Sequence, residues 1–147
     1  MSFAVDANVL LYASDAGSPH SRRAAEFLAD RAAGREVFCL AWTTIMTYLR
    51  IATHHAIFSD PLSPEEAGRN IDALLRLPHV RLLAEEEGFW ELYREVTRAV
   101  PARGNLVPDA HLAALLRQHG IRTLYTNDTD FRKFKFLDVR NPLEDRA

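Results

Sequence analysis

Residues 1–15 read MSFAVDANVLLYASD, an apolar stretch that one acid, Asp6, interrupts early. The run Ser2 to Val5 predicts a buried strand, and Asn8 through Tyr12 predicts a short helix directly after it. Asp6 therefore stands where a strand passes into a helix. In an open parallel sheet, ligands bind outside the carboxyl ends of the strands. This stretch thus indicates both a fold class and the edge of the sheet at which a site would lie.

Strands and helices alternate along the rest of the chain. Strands separated by helices pair in parallel through crossovers, because a tight turn cannot join parallel strands. The sequence therefore predicts an α/β fold with short apolar strands buried under helices on both faces. Apolar runs predict further strands at 37–41, 80–83, 121–125 and 136–139. Helical spacing and capping signals predict helices at 19–34, 43–54, from Pro64 onward, at 86–100, at 108–119 and at 128–133.

Length and composition narrow the class of protein. With 147 residues and 48% hydrophobic content, we expect one compact domain over 1–147. The formal net charge of −2 means that any nucleic-acid contact would rely on local basic patches. The single Cys39 lies in an apolar run and favours a reducing compartment. No secretory signal or membrane-spanning run is visible, so we expect a cytoplasmic protein without membrane contact.

Four acids are candidates for one site at the predicted sheet edge. Asp6 ends the first strand, Asp128 and Asp130 follow the fourth, and Asp109 lies in the first turn of the last long helix. Taken singly, Asp6 and Asp128 are more simply helix caps, and Asp109 a complement to a helix dipole. Together they could converge on one pocket, where clustered carboxylates repel unless protons or a cation neutralise them. Oxygen ligands without His or Cys suit Mg²⁺ or Mn²⁺, and phosphoryl transfer uses such ions.

Three segments resemble, in order and spacing, the signature segments of PIN-domain nucleases: VDANVLLYA at 5–13, LVPDAHLAALLRQHG at 106–120 and TNDTDFRKF at 126–134. The chain length, LRIATH at 49–54 and the closing NPL at 141–143 resemble more narrowly the VapC-type toxins of bacterial toxin–antitoxin modules. The resemblance implies a three-layer α/β/α sandwich around a mostly parallel sheet of about five strands. It also implies an endoribonuclease that uses Mg²⁺ or Mn²⁺ and leaves 5′-phosphate and 3′-hydroxyl ends.

The resemblance also assigns roles to single positions. It makes Asp6, Asp109 and Asp128 the catalytic, metal-holding acids and Asp130 a further metal-linked acid. It makes Asn8, two residues after Asp6, and Thr126, two residues before Asp128, polar supports of the site.

One position departs from the family pattern. The family usually carries a Glu on the helix after the second strand, three residues before an Arg, and this chain has Thr47 there, before Arg50. A threonine hydroxyl can hold a metal-bound water but brings no charge, so we expect weakened or altered metal binding. The alternative is a PIN-like RNA-binding module that has lost turnover.

RNA and protein partners follow from the same resemblance. Arg132 and Lys133 are either RNA contacts or an ordinary solvated surface, and Arg50 is either an RNA contact or an ion pair that supports Asp6. The implied substrate is tRNA or ribosomal RNA, and the implied partner is a VapB-type antitoxin whose guanidinium would neutralise the carboxylates. A homodimer through the early helices is also implied, with the region of Ile51, Phe58 and Leu62 as a candidate surface.

Two other phosphoryl-transfer classes fit less well. A haloacid-dehalogenase phosphatase would also place an acid after its first strand, but it needs a second Asp where this chain has Asn8. A phospho-acceptor receiver domain fails in a similar way, because the paired acids before its first helix are missing.

Overall fold

A computed structural model describes residues 1–58 and 60–144 of the chain. It contains one five-stranded sheet in which every neighbouring pair is parallel. The strands are β1 (Ser2–Val5), β2 (Val37–Ala41), β3 (Val80–Leu83), β4 (Thr123–Tyr125) and β5 (Asp138–Arg140). The helices are α1 (Ala7–Ser14), α2 (Ser21–Ala33), α3 (Trp42–Ala52), α4 (Pro64–Leu75), α5 (Phe89–Ala99) and α6 (Leu106–Gln118), with a 3₁₀ helix at Thr129–Lys133.

The order of the strands creates a crevice. The sheet runs β3-β2-β1-β4-β5, so the chain builds outward from β1 on one side and then crosses over to add β4 and β5 on the other. The connections after β1 and β4 therefore lead in opposite directions. A ligand crevice forms at such a switch point, outside the carboxyl ends of these two strands. This is the edge that carries Asp6 and the segment after Tyr125.

Two hydrophobic cores sandwich the sheet. Side chains that alternate along a strand point to opposite faces, so Phe3 and Val5 pack with α1 to α4, whereas Ala4 packs with α5 and α6. Cys39 is buried on the same face as Ala4. The α/β class and the three-layer arrangement are thus confirmed. Within the described ranges, no helix is long and apolar enough to cross a bilayer.

The end of α6 explains why β4 is shorter than predicted. Gly120 adopts a φ of 70°, and its N–H donates to the Arg117 carbonyl at 3.1 Å. The N–H of Ile121 reaches back to the Leu116 carbonyl at 2.8 Å. This pair of bonds is a Schellman motif, which places Ile121 in the helix end and not in the strand.

The last strand lies later than the predicted 136–139. The N–H of Leu137 still closes a turn onto the Phe134 carbonyl at 3.0 Å, so the chain becomes extended only at Asp138. From there it pairs with β4, with Asp138 opposite Thr123. Phe136 instead packs against the core beside α6.

The candidate dimer surface is only partly accessible. Phe58 is only 5% exposed, and Ile51 and Leu62 are partly buried against the same core. The chain turns back after α3, with the Leu62 N–H bonded to the Ala52 carbonyl at 2.9 Å, and this turn packs the segment inward. The large apolar side chains that are exposed among the described residues are Met1, Trp42, Met46, Ile57, Leu82, Trp90 and Val107.

A pair of leucine substitutions tests the layered core. Leu124 on β4 has 0% exposure, so Leu124→Ala should lower the free energy of unfolding by about 2–5 kcal/mol. Leu82 lies on the edge strand β3 and is 41% exposed, so Leu82→Ala should cost about 1 kcal/mol or less. Urea unfolding followed by circular dichroism measures both, and equal losses would contradict the assigned core.

Candidate metal centre

Asp6 lies at the carboxyl end of β1 and is tied to β4. Its N–H donates to the Tyr125 carbonyl at 3.0 Å. One carboxylate oxygen caps α1 by accepting the Ala7 N–H at 2.8 Å, so the interpretation of Asp6 as a helix cap is confirmed. The other oxygen accepts the Thr126 hydroxyl at 2.8 Å and the Asn8 side-chain amide at 3.4 Å. The Asp6 side chain therefore both caps α1 and belongs to the candidate site.

Thr126 connects two of the acids. It is 1% exposed, and its hydroxyl oxygen accepts the Asn8 amide and the backbone N–H of Asp128, both at 3.0 Å, while it donates to Asp6. The side-chain oxygen of Asn8 in turn accepts the backbone N–H of Asn127 at 3.3 Å. The structure thus places Asn8 and Thr126 where the sequence predicts supports of the site.

A second pair of amides extends this network and was not predicted. The Asn141 side-chain amide donates to the side-chain oxygen of Asn127 at 2.8 Å, and its own side-chain oxygen accepts the Leu143 N–H at 2.9 Å. The Asn127 amide donates to the Tyr12 hydroxyl at 3.3 Å. The segment after β5 therefore braces the loop that carries Asp128, and the closing NPL was the only signal of it in the sequence.

Three further carboxylates gather near Asp6. Asp109, Asp128 and Asp130 each offer an oxygen, and these atoms all lie within 4.8 Å of one another. Asp128 also caps the 3₁₀ helix by accepting the Asp130 N–H at 2.9 Å. The Lys133 ammonium lies 3.5 Å from an Asp130 oxygen. This set of carboxylate oxygens, without His or Cys, fits Mg²⁺ or Mn²⁺.

A small cavity is lined by Asp6, by Asp109 and by residues of the first turns of α3. Its volume is about 110 Å³. Thr47, the residue at the place of the usual Glu, lines it. Its full lining is Asp6, Ala7, Thr43, Thr44, Thr47, Pro108, Asp109, Leu112 and Phe131.

The basic candidates divide into two groups. Arg132 is exposed and borders a surface depression that includes Asp128 and Thr129, and Lys133 is exposed beside Asp130. Arg50 is exposed in the last turn of α3, and within the described part of the chain it makes no ion pair. Of the two alternatives for Arg50, the ion pair with Asp6 or its neighbours is therefore not formed among the described residues, and the RNA contact stays a prediction.

Burial and mutual repulsion alter the acids of this site. The pKa of Asp109 is raised to about 7, chiefly by burial and then by the charges of Asp128, Asp6 and Asp130, while Lys133 opposes the shift. The pKa of Asp6 is also raised, mainly by burial, although its bonds from Thr126 and Ala7 act in the opposite direction. The acids thus carry an excess of negative charge that a cation would relieve.

Comparison with known proteins agrees with the fold and the motifs. A family model of the PIN domain matches residues 3–137. Ribonuclease VapC48 of Mycobacterium tuberculosis is 44% identical over 142 residues, covering 97% of this chain and 98% of that protein. Ribonuclease VapC43 of the same organism is 33% identical over 140 residues, covering 95% of each.

Solved structures show the same architecture. VapC20 of Mycobacterium tuberculosis, described as a toxin that cleaves the sarcin–ricin loop, superposes with a TM-score of 0.68 at 21% identity, covering 95% of this chain and 99% of that one. VapBC2 from Rickettsia felis, bound to a promoter DNA fragment, superposes with a TM-score of 0.66 at 16% identity, covering 96% and 98%. At these identities the likeness concerns the fold.

The raised pKa of Asp109 predicts how stability depends on pH without metal. The folded state holds this proton more tightly than the unfolded chain, so the penalty for the charged form is absent below pH 3.8 and complete above about 7. In EDTA, Asp109→Asn should therefore raise the melting temperature above pH 7, and the gain should disappear as the pH falls towards 3.8. Asp30→Asn, at an exposed position on α2, is the control. A gain for Asp109→Asn that is independent of pH would contradict the assigned cause.

Proposed function

The chain belongs to the PIN-domain family, and we propose that it is a divalent-metal-dependent endoribonuclease that acts as the toxin of a VapC-type toxin–antitoxin pair. The convergence of Asp109, Asp128 and Asp130 within 4.8 Å, with Asp6 lining the same cavity as Asp109, carries this proposal. The named ribonucleases among its relatives support the same activity. Acting on cellular RNA would place it in the cytoplasm.

The four acids have different roles in the proposed site. Asp6, Asp109 and Asp128 are the metal-holding catalytic residues, and Asp130 is a further ligand. A divalent cation, when bound, offsets charge on the scissile phosphate and makes water a stronger nucleophile near neutral pH. Thr126 and Asn8 orient the Asp6 carboxylate through the hydrogen bonds described above. This division of roles requires no histidine base, and His111 is engaged elsewhere, with Glu85 at 2.6 Å.

The reaction adds water to phosphorus in line with the leaving oxygen. The bond from phosphorus to the 3′ oxygen breaks and that oxygen takes up a proton. The products are a 5′-phosphate and a 3′-hydroxyl. The RNA, a tRNA or a ribosomal RNA, would approach along the exposed Arg132 and Lys133, since a chain with a net charge of −2 needs local cations to hold phosphates.

Substitution of the predicted acids tests this assignment. Total RNA is incubated with the purified protein and Mn²⁺ or Mg²⁺, and the new 5′ ends are mapped. Asp6→Asn and Asp109→Asn should each lower the cleavage rate by more than about 100-fold, since even outer-shell partners of metal ligands typically account for 10- to 100-fold. Asp30→Asn, distant from the crevice, should cut like the wild type.

Two outcomes would contradict the proposal in different ways. If Asp6→Asn or Asp109→Asn cuts RNA at the wild-type rate, the site is wrongly assigned. If the wild type cuts no RNA at any Mn²⁺ concentration, the alternative of an RNA-binding module without turnover is correct, with Thr47 in place of the usual Glu as its cause.

The antitoxin is a separate part of the proposal. Several structures with this fold are VapBC complexes, from Haemophilus influenzae and Salmonella typhimurium among others. A basic segment of a VapB-type partner would place a guanidinium among the four acids and neutralise them as a cation does. The toxin is also proposed to form a homodimer.

Coexpression with the product of the adjacent gene tests the partner. A stable complex should form, and adding the partner should abolish cleavage. Replacing the inserted Arg of the partner with Ala should restore cleavage if charge neutralisation is the cause of inhibition. A partner that binds without affecting cleavage would refute this role.

A further inference from the structure

A second cavity, here called the arginine cavity, shares no lining residue with the cavity beside the acids. Its volume is about 250 Å³, and it is lined by Arg23 and Arg31 of α2 and by Arg140 at the end of β5. Glu144 is the acid of its lining, so positive charge exceeds negative charge there. Arg140 is partly compensated, because one Asp138 oxygen accepts two of its N–H groups at 2.7 and 3.0 Å. The arginine cavity is thus suited to an anion.

The Arg31 guanidinium is largely buried but is not satisfied by the protein. The side chain is 19% exposed, and within the described ranges Nε is buried without a hydrogen-bond partner. The Glu36 carboxylate lies 3.6 Å from Nη1, which is too far for a hydrogen bond, and is itself 45% exposed. Buried charges in proteins are normally both paired and hydrogen-bonded. Arg31 can therefore accept a further partner of negative charge.

Three aromatic rings hold the Arg31 guanidinium in place. Its central carbon lies 4.9 Å from the centre of the Tyr125 ring, 5.2 Å from that of Phe27 and 5.6 Å from that of Phe3. These contacts stabilise the charge, but they supply no strong acceptor for its N–H groups. A planar guanidinium matches two oxygens of a phosphate or a carboxylate. Because the rings already restrict this side chain, little further entropy is lost when it binds an anion.

The arginine cavity adjoins the candidate metal centre. Tyr125 lines it, and the Tyr125 carbonyl accepts the Asp6 N–H at 3.0 Å. Tyr125 precedes Asp128 by three residues, so their Cα atoms lie within about 11 Å of each other. Asn141 also lines the arginine cavity, and its amide donates to Asn127 in the loop that carries Asp128. An RNA strand with one phosphate at the acids therefore has neighbouring phosphates close to this cavity.

We infer that the arginine cavity binds a backbone phosphate of the RNA, close along the strand to the phosphate that is cut. This inference rests on the proposed function and adds a contact away from the reacting atoms. Arg31 supplies the main pair of donors, and Arg140 supplies a second charge. A carboxylate of a protein partner offers the same pair of oxygens, but RNA carries such a group at every nucleotide beside the acids. In a chain with a net charge of −2, this cavity is one of the local basic sites that phosphates require.

RNA binding without cleavage tests the inference. Fluorescence anisotropy of a labelled single-stranded RNA is measured in EDTA, where cleavage that depends on a divalent metal does not proceed. Arg31→Gln should raise the Kd about tenfold, as expected when hydrogen bonds to a charged group are lost. It should also reduce the slope of log Kd against log salt by about 0.7, the share of one phosphate on a single strand. Equal affinities of the wild type and Arg31→Gln would overturn the inference.

Two further variants control for charge and for folding. Arg22→Gln removes the same charge from α2 at an exposed position, where Arg22 pairs with Glu26 at 3.0 Å, and it should bind RNA like the wild type. Arg140→Gln tests the same cavity from β5 and should raise the Kd severalfold, also if Arg31→Gln folds poorly by circular dichroism. If Arg31→Gln folds poorly and Arg140→Gln binds like the wild type, the inference is wrong.

Cleavage kinetics separate this contact from the metal centre. A phosphate held away from the scissile bond is bound equally in the ground state and the transition state, so Arg31→Gln should raise KM about tenfold with little change in kcat. Asp109→Asn should instead lower kcat. An unchanged KM in Arg31→Gln overturns the inference and leaves the proposed function standing. A wild type that binds RNA through Arg31 but cuts none refutes the proposed function and leaves this contact standing.

Neutral linkages in the RNA identify the phosphate. Oligonucleotides that each carry one uncharged methylphosphonate are compared in the binding assay. One linkage close to the cut should weaken binding to the wild type but not to Arg31→Gln. Equal losses at every linkage in both proteins would contradict the inference. If Arg31→Gln instead weakens binding of the coexpressed antitoxin and leaves RNA binding unchanged, the arginine cavity belongs to the protein partner and the inference is overturned.

Discussion

The burial of several carboxylates close to one another is the constraint on which the rest of this structure depends. The switch point of the sheet brings Asp6 to the end of β1 and Asp128 to the loop after β4, and α6 adds Asp109. Burial first, and then the charges of the neighbouring acids, raises the pKa values of Asp6 and Asp109. Hydrogen bonds from the protein offset part of this charge. The bonds from the Ala7 N–H to Asp6 and from the Asp130 N–H to Asp128 also cap α1 and the 3₁₀ helix. The remaining negative charge faces the crevice, where only a cation or a proton can relieve it.

Rigid elements keep this charged arrangement in place. β1 and β4 are the inner strands of the sheet, with Leu124 and Phe3 buried on opposite faces, so the acids at their ends have little freedom to move apart. Thr126 links the two strand ends through Asp6, and the Asn127–Asn141 bond at 2.8 Å extends the brace to the segment after β5. The acid at the solvent edge, Asp130, is exposed and leaves an entry path for an ion. A preformed site of this kind avoids reorganisation when the cation and phosphate arrive.

The sequence was sufficient to predict which acids form the candidate site, but not the hydrogen bonds and packing that surround them. Strand ends and the first turn of a helix are local features, and one topological rule then brings Asp6, Asp109 and Asp128 together. Asn141 could not be foreseen as a partner of Asn127, because that contact depends on where β5 begins, and the Leu137 turn shifts this point. An ion pair of Arg50 with the acids could not be judged from the sequence, because it depends on which face of α3 carries the exposed Arg50 side chain.

Thr47 changes the balance of the site in two opposite directions. Losing a carboxylate weakens the attraction for a cation, and it also removes a repulsion on the phosphate. Two unit charges 4 Å apart interact by about 1 kcal/mol in water and about 4 kcal/mol near a protein surface, so neither effect is negligible. The two effects act on different ligands, so their sum need not be a loss of function. The cavity is lined by Thr43, Thr44 and Thr47 as well as by the acids Asp6 and Asp109, so neutral hydroxyl-bearing residues and carboxylates share it.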